Sequence, residues 1–386
     1  MESYIDDKKN LYTIILEFLE NSDESNESSI ENIKSIITKV EGDREEIEQF
    51  LQIIKNISDN HHRDRNFITK ISQILQQFED QIKQTLSNID IFHIFEDNKM
   101  ILLFLLKSGI LTISDSIFKE MMLKVDSSGY FYCHFFYPEL EKFAGEEKMK
   151  DIKDELLLNN PNMFENFDMK RQEGENDSYI CSLIRQDSVE DFIAHVNRAN
   201  YSLSSKISPS IFETNNFLLE KKNTTLIEYS AFYGSIQIFQ YLKMNKVKLT
   251  QSLWLYAIHS KNAELIHLLE SNNVPPPDEK ENDNENSTKS YIKCLTESIK
   301  CHHNDFADYI ENNLIVQNEN DSKQKEEIIS NSIKYHNYAH FQSQLVHDHG
   351  LFFLHFYEYN KLVDLLKKEK ENEIKERIIQ NTNICF

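Results

Sequence analysis

Residues Thr225–Val274 read TLIEYSAFYGSIQIFQYLKMNKVKLTQSLWLYAIHSKNAELIHLLESNNV, and they contain two similar segments, one after the other. The second segment repeats the apolar and small residues of the first at a constant offset of 27 positions. A fixed internal period of helical segments is typical of stacked repeats, in which each unit buries its apolar face against its neighbours. The matched positions are Ile227, Ser230, Ala231, Gly234, Ile238, Phe239 and Leu242 in the first segment and Trp254, Ala257, Ile258, Lys261, Leu265, Ile266 and Leu269 in the second.

Each segment is predicted to form a pair of short helices. Small side chains at Ser230, Ala231 and Gly234 share one helix face and let a second helix approach closely. Gly234 is expected to end the first helix in the left-handed conformation, and Ser235 is expected to cap the second. One such pair has too small a core to be stable alone, so the pattern predicts an all-α solenoid of stacked pairs.

The same pattern continues along the C-terminal part of the chain, predicted to form a repeat domain over 177–386. Further units are predicted at 178–197, at 291–313 and, in part, at 332–341, and a terminal helix pair at 352–379. A polar, proline-led insertion at about 275–289 is predicted to be an exposed and mobile loop.

The first unit resembles the ankyrin repeat, whose pattern runs T-P-L-H-x-A-A-x-x-G-H-x-E-I-V-x-L-L. It departs from that pattern at Leu226, Glu228 and Ser235, and its period of 27 is shorter than the family's period of about 33. The whole chain resembles the ankyrin-like proteins expanded in trichomonad protists, in stretches such as SLWLYAIH, KCHHND and SYICSLIRQDSVEDFI. This resemblance implies an ankyrin-like fold, an N-terminal domain of unassigned function and binding to another protein. The positions that match the repeat, identically or by close substitution, are Thr225, Ile227, Ser230, Ala231, Gly234, Gln237, Ile238, Phe239, Tyr241 and Leu242.

The N-terminal part lacks a clear repeat. Apolar stripes at helical spacing over residues 1–90 predict a helical cap or bundle; a coiled-coil dimer arm is the alternative. Residues 91–176 are expected to be a divergent helical region that includes one partial repeat unit. Within it, Gly129–Tyr137 reads GYFYCHFFY, an aromatic run that is either core between packed helices or a ligand platform.

Two further helices are predicted in the middle region. One covers Ile117–Val125, and the other begins at Pro138, which suits the first turn of a helix, and continues through Leu156. Residues 159–176 are polar and are expected to be irregular, forming a junction.

Composition argues against several classes of partner. The chain carries 64 acidic and 42 basic residues, a net charge of −22, without a basic stripe, which disfavours nucleic acid and anionic membranes. The N-terminal residues lack the apolar segment of a secretory signal, and five scattered cysteines favour reduced thiols in the cytoplasm. A partner protein and homo-oligomers remain compatible with this composition.

Metal and catalytic motifs are weak. Cys294, Cys301, His302 and His303 bring thiols and imidazoles together, but their spacing is not that of a zinc finger, and the repeat register places His302 at the glycine position of the turn. Phosphate-binding loops, nucleophile elbows and H-E-x-x-H are absent from the sequence. We therefore expect a protein that is not an enzyme and uses no cofactor and no metal.

The leading hypothesis is a scaffold that binds a partner protein through the concave face of the solenoid. Aromatic side chains at the variable positions of the first helices would anchor the partner, or they would pack against their own neighbours. The first alternative is self-assembly through the N-terminal helices, and the second is an enzyme with a cleft between that region and the repeats. The candidate binding residues are Tyr229, Phe232, Tyr233, Tyr256 and His259.

Overall fold

The computed structural model describes residues 2–20, 31, 33–34, 44–61, 66–221, 223–277, 291–315 and 322–340. Regular secondary structure in these ranges is helical, and β-type pairing in them is limited to two isolated bridges, Val125 with Phe131 and Lys206 with Thr225. The prediction of an all-α protein is confirmed. The predicted helix pair at 352–379 lies outside the described residues.

The helices of the N-terminal part share one hydrophobic core, which contains residues from Leu11 to Phe167 together with Ile211, Phe212 and Tyr338 of the second half. This core runs across residue 90, where the sequence suggested a domain boundary. The aromatic run forms part of it, since Tyr132, Phe135 and Phe136 are buried. In chain order the helices are α1 (Glu2–Glu20), α2 (Arg44–Asn60), α3 (Phe67–Gln77), α4 (Glu79–Thr85), α5 (Asn88–Phe95), α6 (Lys99–Ser108), α7 (Asp115–Leu123), α8 (Tyr132–Phe135), α9 (Tyr137–Ala144), α10 (Glu146–Asn159) and α11 (Phe167–Glu173).

Two local predictions in this region need correction, and a third is confirmed with shifted bounds. The single helix expected from Pro138 is divided between α9 and α10, because Gly145 takes a φ of 90° that an α-helix cannot contain. The junction expected to be irregular contains α11. The helix expected at Ile117–Val125 lies at Asp115–Leu123, where Ser114 caps its N-terminus and accepts a hydrogen bond from the backbone N–H of Ile117.

The second half of the chain is a row of helix pairs with a separate core that contains residues from Ile180 to Ile310. The first helices of successive pairs, α12, α15, α17, α19 and α21, pack side by side in that order. In chain order the helices are α12 (Tyr179–Arg185), α13 (Val189–Arg198), α14 (Asn216–Glu220), α15 (Leu226–Phe232), α16 (Ile236–Met244), α17 (Leu253–His259), α18 (Ala263–Ser271), α19 (Ile292–Lys300), α20 (Asn304–Asn313), α21 (Ser322–Lys334) and a 3₁₀ turn at Tyr338–His340.

One backbone turn recurs after every first helix. Asp187, Gly234, Lys261, His302 and His336 have φ angles between 49° and 69°, which is the left-handed region. The predicted left-handed end at Gly234 is confirmed, as is the placement of His302 at the equivalent position. In four of these turns the next residue donates its backbone N–H to a carbonyl five residues earlier, the bond of a Schellman motif, at 2.9 to 3.0 Å. These bonds join Ser188 to Leu183, Ser235 to Ser230, His303 to Ser298 and Asn337 to Ser332.

The helix cap expected from Ser235 is wrong. Its hydroxyl donates instead to the backbone carbonyl of Ile184 in the preceding pair, at 2.5 Å. The carboxylate of Asp187 takes over the capping role and accepts hydrogen bonds from the backbone N–H groups of Gln237 and Ile238, both at 3.0 Å. The N-terminus of α16 is therefore capped by the neighbouring unit, which ties the two pairs together.

The first residues of the insertion after α18 are partly buried. Pro275 is exposed, whereas Pro276 and Pro277 are buried, and the carbonyl of the preceding Val274 accepts a hydrogen bond from the indole N–H of Trp254 at 3.0 Å. The expectation of an exposed loop is therefore wrong at Pro276 and Pro277; residues 278–290 lie outside the described part. None of the described helices combines the length and the apolar character that crossing a bilayer requires.

We expect Gly174→Ala to destabilise the protein more than Gly109→Ala. Both glycines have positive φ, 68° and 76°, so each alanine costs about 1–2 kcal/mol in backbone strain. A methyl group at Gly174 would also overlap Met100 Sδ and lie 2.9 Å from Thr214 Oγ1, which adds about 1–3 kcal/mol, whereas space around Gly109 is open. Urea unfolding measures both free energies, and equal losses would contradict the packing argument.

Candidate partner-binding surface

The five side chains predicted to bind a partner lie on α15 and α17 or directly after α15. Tyr229, Phe232, Tyr256 and His259 are buried, with exposed fractions of 2, 7, 3 and 2%, and Tyr233 is half-buried. Four of the five side chains are therefore not exposed to a partner. Their rings pack within the chain, which is the alternative that the sequence left open, and their role in binding stays a prediction.

Phe217, on the short helix α14, covers this row. Its ring centroid lies 5.8 Å from that of Phe232 with the planes nearly parallel, 4.9 Å from Tyr256 and 4.0 Å from His259. Sequence reasoning missed Phe217 because the connector between the units carries no repeat signature. The sequence did contain one signal: Asn215, a residue type that often begins a helix, is followed shortly by apolar residues. In the structure Asn215 caps α14 by accepting a hydrogen bond from the backbone N–H of Leu218.

Tyr229 and Tyr233 are held by an arginine from the preceding helix pair. Arg185 donates from Nη1 to the Tyr229 hydroxyl at 3.0 Å, pairs with Glu175 at 2.5 Å and lies 6.0 Å from the Tyr233 ring centroid. Burial raises the pKa of both tyrosines well above the usual value, so both phenols stay neutral. This arrangement positions α12 against α15.

A thiol, an imidazole and a carboxylate meet between α17 and α19. His259 Nε2 lies 2.8 Å from Glu297 Oε1, and Cys301 Sγ lies 3.4 and 3.5 Å from the two ring nitrogens. These are the residue types of a metal site or of a nucleophile with its base, and their ligand atoms lie within 4.8 Å of one another. The geometry must therefore decide between these roles and plain packing.

The position of the sulfur argues for packing. A sulfur that formed a hydrogen bond or shared a metal with one ring nitrogen would lie near the ring plane and much farther from the other nitrogen. The nearly equal distances from Sγ to Nδ1 and Nε2 therefore place the sulfur over the face of the ring. Burial raises the pKa of the Cys301 thiol well above its usual value and lowers the pKa of His259. Lys300 lies 3.5 Å from Glu297, and a cation would be repelled there. The neutral imidazole therefore donates to the carboxylate, and the thiol fills space.

The other residues considered for a metal are separated from one another. His302 Nδ1 meets the hydroxyl of Tyr12 at 3.1 Å, while His303 Nδ1 donates to the backbone carbonyl of Ile258 at 2.8 Å. Cys294 is fully buried in the repeat core. Cys133, Cys181, Cys294 and Cys301 are all buried free thiols, in agreement with the expected reduced state, and Cys385 lies outside the described residues.

A second group of possible metal ligands lies on the surface of the N-terminal part. His93 Nε2 is 3.0 Å from Glu120 Oε2, and Glu96 lies close to both. Lys124 sits 3.6 Å from Glu96, so the local negative charge is already balanced by a side chain of the protein. The group is explained as a surface ion-pair network.

Small cavities lie between the N-terminal region and the repeats. One, of about 50 Å³, is lined by Ser128, Asn176 and Tyr229 among others. Another has a volume of about 10 Å³, the room that one water molecule needs. It is lined by His61, Glu175, Glu213, Asn215, Phe232, Tyr233 and His259.

Comparison with known proteins adds no relative: no family model, no curated protein and no solved structure matches this chain.

Proposed function

We propose that the protein is a non-enzymatic scaffold of the ankyrin-like solenoid type, acting in the cytoplasm and binding a partner protein. The observation that carries the proposal is the recurrence of one turn geometry along five units whose first helices stack in order. Arrays of this kind form extended surfaces suited to binding proteins, since each unit adds area in a regular direction.

The surface available to a partner differs from the concave face. Phe217 and the residues around the smaller cavity already occupy the face of the first helices. The second helices α16, α18 and α20 keep an outward surface that is mainly polar, and three of its exposed residues are acidic. We call this surface the outer face, and it comprises the exposed residues Gln237, Gln240, Glu264, His267, Asp305 and Asp308.

Contacts along the outer face make it continuous across units. Gln240 donates to Glu264 at 3.4 Å between α16 and α18, and the Tyr309 hydroxyl donates to Glu270 at 3.0 Å between α20 and α18. Carboxylates at Glu264, Asp305 and Asp308 are exposed. A partner with a basic surface fits this charge best, because opposite charges guide association and set its specificity.

The test is crosslinking and affinity capture from native lysate with two charge-reversed variants. The first, Glu264→Lys/Asp305→Lys/Asp308→Lys, changes the outer face. The second, Glu147→Lys/Asp151→Lys/Asp154→Lys, makes the same change in charge on exposed positions of α10, outside the repeats. We expect a specific protein to be recovered with the wild type and the α10 variant and lost with the outer-face variant.

Recovery of the same protein with all three chains would contradict binding through the outer face. Loss with both variants would show that capture depends on net charge alone and would also contradict it. Self-assembly through α1 and α2 is measured in parallel by sedimentation of the purified chain. A mass that rises with concentration and falls back to the monomer when α1 and α2 are removed would favour that alternative.

A further inference from the structure

Four histidines are buried where the N-terminal helices meet the turns of the repeats. His61 follows α2, His302 and His303 follow α19, and His336 follows α21. Their exposed fractions are 5, 1, 1 and 4%. We call this group the histidine seam. Residues of both hydrophobic cores lie around it, so a charge placed on it would be buried with little access to water.

The seam is joined by hydrogen bonds between residues distant in sequence. Tyr12 of α1 meets His302 Nδ1 at 3.1 Å, and the amide of Asn56 in α2 donates to His336 Nδ1 at 2.9 Å. The rings of His61 and His303 meet edge to face with centroids 5.1 Å apart. Each turn of α19 and α21 therefore receives a side chain from α1 or α2.

The bonding pattern favours neutral imidazoles. His336 Nδ1 accepts the bond from Asn56, so a proton at that nitrogen would break it. His302 Nε2 is buried with no hydrogen-bond partner among the described residues, and the nearby backbone of Asn56 favours a charged ring less than burial disfavours it. An unpaired buried charge is costly, and the closed seam therefore resists protonation.

The charged groups around the seam do not reverse this preference. Glu20 is the nearby carboxylate; it accepts from His61 Nε2 at 3.0 Å and also pairs with Lys261. Burial raises the pKa of Glu20, but the bonds from His61 and Lys261 outweigh it and lower that pKa to about 2. The Glu20 carboxylate therefore stays ionised between pH 5 and 8, and His61 and Lys261 already occupy it as partners.

We propose that the histidine seam is an acid-released contact, in which protonation of His302 and His303 separates α1 and α2 from the turns of the repeats. Tyr12, His61 and His336 lie beside His302, and His61, Lys261 and His259 lie beside His303. Each of the two imidazoles therefore has other basic side chains next to it, which disfavour a positive charge on its ring. In the open state both imidazoles reach water and take up protons freely, whereas in the closed state they do not.

The direction of the pH effect follows from linkage. Burial, followed by the proximity of His61, holds the pKa of His302 and of His303 well below the ordinary value of about 6.5. The open state therefore binds more protons, and the closed contact is fully stable above that pH and weakens as pH falls below it. Each histidine contributes about tenfold per pH unit to the ratio of closed to open, so the two together contribute about 100-fold.

Hydrogen–deuterium exchange of the full chain between pH 5.0 and 8.0 tests the proposal, with rates corrected for intrinsic exchange. We expect the protection of α1 and α2 to fall about 100-fold per unit below pH 6.5, while α6 and α18 keep theirs. Protection of α1 and α2 that does not change with pH would overturn the proposal. An equal loss in all four helices would mean general unfolding and would overturn it as well.

Asparagine variants identify the groups that titrate. His302→Asn and His303→Asn place an amide where Nδ1 stood and can keep the polar contacts to Tyr12 and Ile258, and asparagine tolerates the left-handed backbone of residue 302. We expect each single variant to reduce the pH dependence to about tenfold per unit and the double variant to abolish it. His267→Gln, on an exposed histidine paired with Glu270, should leave it unchanged. A dependence that stays at about 100-fold per unit in both single variants would overturn the assignment, even if the double variant fails to fold.

Discussion

Replacing Trp254 by alanine is expected to destabilise the repeat core by about 3–5 kcal/mol, the usual cost of removing a large buried aromatic side chain. Trp254 has no exposed surface, and its ring meets that of Tyr291 edge to face with centroids 5.3 Å apart. Its indole N–H also satisfies the carbonyl of Val274. The variant therefore creates a cavity and leaves a buried acceptor without its donor.

Urea unfolding followed by circular dichroism measures this loss, because Trp254 is the only tryptophan of the chain and its fluorescence disappears with it. Met244→Ala is the control: its side chain is 80% exposed, so we expect a change within about 0.5 kcal/mol. Trp254→Phe keeps a ring and should lose less than alanine. A loss below about 1 kcal/mol for Trp254→Ala would show that the second unit does not depend on this packing.

The second large effect is expected at a buried ion pair in the N-terminal core. Lys99 Nζ lies 2.5 Å from Asp126 Oδ2, and the two side chains are 2 and 3% exposed. Burial lowers the pKa of Lys99. Burial raises the pKa of Asp126, but Lys99 and the donors Ser128 and Tyr130 outweigh this and hold it below the ordinary value. Lys99→Met should cost about 3–5 kcal/mol, because it leaves a carboxylate buried without its cation.

A double-mutant cycle separates the pair from its surroundings. Asp126→Asn keeps Oδ1, which accepts from Ser128 and Tyr130, and replaces only the oxygen that faces Lys99. We expect Lys99→Met/Asp126→Asn to recover most of the stability lost in Lys99→Met. The exposed pair Lys153–Glu146, at 3.2 Å, is the control, and Lys153→Met should change stability by less than about 1 kcal/mol. Simple additivity of the two buried substitutions would contradict the ion-pair explanation.

The sequence predicts the features of this fold that repeat locally. The offset of 27 places Lys261 in register with Gly234, and alignment of the later unit places His302 there too; all three have positive φ. Helical spacing of apolar residues likewise identifies the helices of the pairs. These features depend on residues within one turn of each other, so a single sequence is enough to reveal them.

The contacts that cover the candidate surface could not be predicted in the same way. Phe217 belongs to a connector outside the repeat pattern, yet it packs on Phe232 and His259. Tyr12 and His302 meet although 290 positions separate them. Contacts of this kind depend on how two cores are placed relative to each other, and helical spacing carries no information on that placement.

Four of the five recurring turns use a residue other than glycine, so the repeats of this chain conserve a conformation and not an amino acid. A left-handed aspartate, lysine or histidine stores about 1–2 kcal/mol of backbone strain that glycine would not. Packing against the neighbouring units must offset that strain. The sequence of a unit can therefore change while the arrangement of the stacked helices is kept. A repeat array can thereby become unrecognisable to residue-based comparison long before it loses its architecture.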